Sequence, residues 1–150
     1  MRKTFEKWLV ELTSLPTASG CEDRVIAWVK RWAAARPQVR IRTDRYGNMM
    51  LSLAVTSRDR GAGKSGPVVI EAHMDHPAFV ITNIVNAREV EADFRGGVEP
   101  EFFVGSTVLL HRDGSRPRRG VIRKYVVHPG PQFYPLATVQ FARPVRAEVG

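Results

Sequence analysis

The feature that most constrains this chain is residues 67–81, Pro-Val-Val-Ile-Glu-Ala-His-Met-Asp-His-Pro-Ala-Phe-Val-Ile. The apolar run Val68 to Ala72 follows a polar, Gly-rich stretch and ends on His73-Met74-Asp75. Such a run reads as a buried strand over 67–74. Side chains alternate across a strand, so His73 and Asp75 are expected on one face. An imidazole beside a carboxylate at a strand end is a common beginning of a metal site. Glu71 shares that face but lies one step back, where a charged partner explains it better than a metal. His76 falls on the opposite face and is not taken as a ligand.

Upstream, Phe5, Trp8, Leu9, Leu12 and Leu15 recur at helical spacing and predict an amphipathic helix over 4–14, ended by Pro16. Ser19 and Glu22 stand at capping-box spacing before a second stripe of Val25, Trp28, Val29 and Trp32, so a second helix should run to about Arg36. Trp28 and Trp32 are expected to pack against a sheet. Residues 39–43 alternate, Tyr46-Gly47-Asn48 supplies a turn, and 49–55 forms the next strand. Beyond Phe79 the chain reads as β structure throughout, with strands expected at 79–85, 88–94, 106–111, 119–127 and 136–142. Asn86, Gly96-Gly97, Asp113-Gly114 and Pro129-Gly130-Pro131 separate them. Short strands at this spacing predict a small barrel or sandwich. The chain thus divides into an α/β part, 1–78, and an all-β part, 79–150, joined without a linker, as an inserted domain would be.

No apolar run approaches the length of a membrane span. The N-terminal segment is interrupted by Glu6 and Glu11, which excludes a signal peptide. One cysteine, Cys21, allows no internal disulfide, and a cytoplasmic location is the expectation. The net charge of +8 raises nucleic acid as a partner. Yet 18 of the 23 basic residues are Arg spread along the chain. The densest clusters, Arg58-Asp59-Arg60 with Lys64 and Arg116, Arg118, Arg119, Arg123 with Lys124, fall at expected turns or exposed strands. Only Tyr125 lies close enough to the second cluster to stack on a base. A solvated basic face explains both. Gly61-Ala62-Gly63-Lys64-Ser65 resembles the end of a phosphate loop, but Arg58 stands where the pattern needs Gly, and a strand is expected to follow. Cys21 has no His near it in sequence, and Asp44 and Asn48 are explained by capping a turn.

The order of motifs resembles a known family. A helix is followed by Ser19-Gly20-Cys21-Glu22, a second helix, Asp44 with Gly47-Asn48, a strand ending in Ala72-His73-Met74-Asp75, then Gly96-Gly97 and Gly120-Val121-Ile122 with His128-Pro129. This resembles the cytoplasmic dinuclear-metal aminopeptidases of the tetrahedral type, which include the glutamyl aminopeptidases. The resemblance spans nearly all of the chain. It implies the N-terminal part of a zinc-peptidase-like α/β core followed by an all-β, barrel-like insertion that mediates homo-oligomer assembly. It implies His73 as a metal ligand and Asp75 as the catalytic carboxylate orienting that imidazole. The complete enzymes hold two divalent ions, zinc with cobalt or manganese as alternatives, and release N-terminal residues from short peptides. Two departures stand out. His76-Pro77-Ala78-Phe79 occupies the place of Glu-Ile-Gly and an apolar residue, and the family's remaining ligands come from beyond the β insertion. As an expectation, the 150 residues alone are then catalytically incomplete. A non-catalytic oligomerisation module is the alternative, and a nucleic-acid-binding β-barrel a weaker one.

Overall fold

In the computed structural model, residues 2–54, 68–128 and 134–149 are described. They fall into two compact units, one of residues 1–15 and 23–74, the other of 16–22 and 75–150.

The first unit holds α1 (Arg2–Thr13), α2 (Asp23–Ala34), β1 (Val39–Thr43) and β2 (Met49–Leu53). β1 and β2 pair antiparallel, with Ile41 opposite Leu51 and Val39 opposite Leu53. Their connection is an Asx turn. The Asp44 carboxylate accepts the backbone N–H of Tyr46 at 2.8 Å and of Asn48 at 3.0 Å, and the Asn48 side-chain amide at 2.8 Å. Trp32 makes its ring contacts with α1 and a cation. Trp32 meets Trp8 of α1 edge-on at 5.6 Å, and the Arg36 guanidinium lies 4.0 Å above Trp32 and 4.5 Å from Trp8. The stripe on α2 therefore clasps a helix and a cation while β1 lies alongside α2. The unit has almost no core. Val25 and Ala33 are its buried hydrophobic residues among those described, and α1 buries none.

Of the strand expected over 67–74, the described residues 68–74 form none. Residues 68–76 carry no regular secondary structure, and no described strand pairs with them. Val68, Val69 and Ile70 are 90%, 84% and 91% exposed. The physical reason is the want of neighbours. A run apolar on both faces becomes a strand when other strands take its N–H and C=O groups and layers cover both sides. No described element supplies either. Pro77 consequently precedes a strand instead of ending one, since β3 begins at Ala78.

The second unit is an antiparallel sheet of β3 (Ala78–Asn86), β4 (Glu89–Arg95), β5 (Thr107–Leu110), β6 (Arg118–Val126) and β7 (Leu136–Phe141), in the order β3-β4-β7-β6-β5. It is a half-barrel with β3 and β5 at its edges, where the sequence suggested a barrel or sandwich. β4 shows the period of two in pure form, burying Val90, Ala92 and Phe94 between partly exposed charged residues. Val90, Phe94, Phe103, Ile122, Ala137, Val139 and Phe141 form the core, each large side chain adding about 1.5–3 kcal/mol by burial. The chain reaches Phe103 through a 3-10 turn, Pro100–Phe102. Phe103 stacks on Tyr125 at 4.3 Å and meets Phe94 at 4.7 Å and Phe79 at 5.5 Å. Alternation alone would put Ile122 and Tyr125 on opposite faces. A register shift between Ile122 and Lys124 lets both pack on the core and turns Arg123 outward to Gln140, 2.9 Å away.

Candidate functional site

His73 is the penultimate residue of the first unit, and Asp75 is the first residue of the longer segment of the second. Both lie in the irregular segment 68–76, not on a strand, so the alternation that was expected to align them does not apply. His73 is exposed; Asp75 and His76 are half-buried. Glu71 is exposed on the same segment.

A hydrolytic zinc site takes three protein ligands or more, and a co-catalytic pair needs a bridging carboxylate as well. Among the described residues, no three His, Cys, Asp or Glu side chains converge in a way that would hold a metal ion. The sequence-predicted donor set is one imidazole, His73, with one carboxylate, Asp75, two residues on. That set does not by itself fit a hydrolytic metal.

The other sequence candidates separate cleanly. Asp44 and Asn48 build the β1–β2 turn, as capping predicted. The Asn48 amide, followed by backbone N–H groups, holds the Asp44 carboxyl below its ordinary value of 3.8. Gly96 lies against Pro77, where a Cβ would come within 2.7 Å of the proline Cβ, so glycine keeps the entry to β3 close to the exit of β4. Gly120, in the middle of the sheet, would put a Cβ 2.6 Å from Val139 and 2.8 Å from Phe141. The phosphate-loop-like 61–65, the basic cluster 58–64 and the Pro129-Gly130-Pro131 turn lie outside the described residues.

The arginines of the second cluster do not form one platform. Arg118 and Arg119 are successive on β6 and so point to opposite faces, while Arg123 is tied to Gln140. Tyr125 is turned into the aromatic cluster, where burial pushes its hydroxyl above its ordinary pKa.

Sequence reasoning missed Arg95. The Glu22 carboxylate accepts the Gly20 N–H at 2.8 Å, in place of the box expected with Ser19. This shapes a tight loop, bridged between Ala18 and Cys21, whose Ser19 carbonyl accepts from the Arg95 guanidinium. The same guanidinium nitrogen lies 3.9 Å from the Cys21 sulfur, and the group faces the Tyr134 ring at 5.5 Å. The Arg95 Nε is buried with no hydrogen-bond partner among the described residues. Cys21 and Arg95 are 74 positions apart, and no local pattern links them.

Comparison of the chain with protein-family models, with curated proteins and with solved structures finds no match. No helix among the described residues is long and apolar enough to cross a membrane.

Proposed function

We propose that this chain contributes one imidazole, His73, with Asp75 as its orienting carboxylate, to a zinc-dependent aminopeptidase of the dinuclear type acting on short peptides. The observation that carries the reading is the placement of His73. It stands exposed at the end of an exposed apolar segment, with a carboxylate two residues on in the sequence. Support also comes from the ordered motifs around it. The Asp44–Asn48 turn closes a hairpin, Gly96 lets the chain pass Pro77, and Gly120 lets β6 pack against β7. A single imidazole does not hold a catalytic cation in hydrolytic geometry, so the chain alone should turn over no substrate.

The test has two readings. Cobalt(II) added to the purified chain should bind weakly, in the manner of one or two protein ligands, and His73→Ala should abolish that absorption change. Aminoacyl p-nitroanilides should remain uncleaved. Metal-dependent turnover by the chain alone, or unaltered cobalt binding by the variant, sinks the reading.

A second reading, a homo-oligomeric assembly module, draws on one observation. β3 and β5 are the edge strands of the half-barrel among the described residues, and β3 exposes Ile84 and Val85 while β5 exposes Leu109. Light scattering coupled to size exclusion decides it, and a monomer at all concentrations counts against it.

A further inference from the structure

The first unit carries a surface that its own described residues do not cover. Its segment 68–72 has no regular secondary structure, is apolar except for Glu71 and is exposed, and no described strand takes its backbone groups. The hairpin of the same unit is two-stranded, a form of marginal stability in water, and Leu51 and Leu53 on one side of it are exposed as well. With only Val25 and Ala33 buried among its described residues, this unit gains little from the hydrophobic effect as it stands. What would satisfy it is specific. Unpaired peptide groups need another backbone beside them, and an apolar run on both faces needs a folded layer to cover it.

Charge selects the occupant. The first unit contains 13 basic and 6 acidic residues, a net of +7, whereas the second contains 10 and 9, a net of +1. Nearly all of the chain's +8 therefore belongs to the unit that carries this segment. A second copy would bring +7 against +7, which opposes association. Nucleic acid matches the charge but offers no N–H and C=O ladder to the 68–72 backbone. We infer that residues 68–72 pair with a β-strand of a separate, acidic polypeptide, by strand addition to the first unit. This requires no metal at His73, and its test reads backbone pairing, not activity.

The experiment is amide hydrogen exchange on the whole chain, with a capped heptapeptide alternating Val and Glu at millimolar concentration as the probe. The amides of Val69 and Glu71 should exchange about tenfold more slowly with peptide, the slowing that about nine-tenths occupancy gives. The effect should shrink as salt rises past about 0.5 M. A peptide alternating Val and Lys should give no protection. Val69→Pro removes one of the N–H groups on the paired edge, in an exposed stretch without regular secondary structure, so it should abolish the protection of Glu71 while the β4, β6 and β7 amides keep their wild-type rates. Equal protection by the lysine peptide, protection by an oligonucleotide, concentration-dependent protection without any peptide, or no protection by the acidic peptide would each overturn the inference.

Discussion

Asp44 shows how much one short side chain does for the first unit. It has no burial to help it, yet it accepts two backbone N–H groups and the Asn48 amide, and so spares the β1–β2 turn unsatisfied donors. Its carboxyl is held below the ordinary value, first by Asn48. A lowered folded-state pKa means a contribution to stability that is complete above the unfolded value of 3.8 and is lost as pH falls through the folded one. Asn48→Ala should move the Asp44 carboxyl titration upward in carbon-detected NMR. An unmoved titration would show that the backbone donors alone set it. This residue was legible from sequence because an Asx turn is local. Arg95 was not, because its partners in the loop at 18–21 come from a distant part of the chain.

At the scale of elements, strand placement followed period two closely. β1 is Val39–Thr43 as expected, and β3, β4, β6 and β7 start or stop within a residue or so of expectation. The exceptions have causes. β2 ends at Leu53, and the residue proposed to end it, Val55, lies outside the described residues. The bulge in β6 breaks alternation because Ile122 and Tyr125 both have core positions to fill. Gly120 is where β6 and β7 approach most demandingly. Gly120→Ala should destabilise the second unit by about 1–3 kcal/mol through overpacking against Val139 and Phe141. Amide exchange of β7 measures the loss, and a change within error would mean that Val139 and Phe141 shift aside at little cost.

For the whole molecule, the two units differ in kind. The second has a continuous aromatic and aliphatic core; among the described residues of the first, two hydrophobic side chains are buried and many are exposed. Stability should be distributed accordingly. All three tryptophans, Trp8, Trp28 and Trp32, lie in the first unit, so tryptophan fluorescence reports on it alone. Its urea midpoint should fall below the one read from the slow-exchanging amides of β4, β6 and β7. Coincident midpoints would mean a single cooperative molecule.

From the sequence alone came the helices, the Asx turn and the alternating strands. These are local signals, set by spacing of a few residues and by backbone chemistry within one turn. Tertiary structure alone decided the sheet order, the β6 bulge, the Arg95 contacts and the state of 68–72. An apolar run says that burial would be favourable. Whether it is buried depends on strands and layers brought from elsewhere, and among the described residues none reaches it.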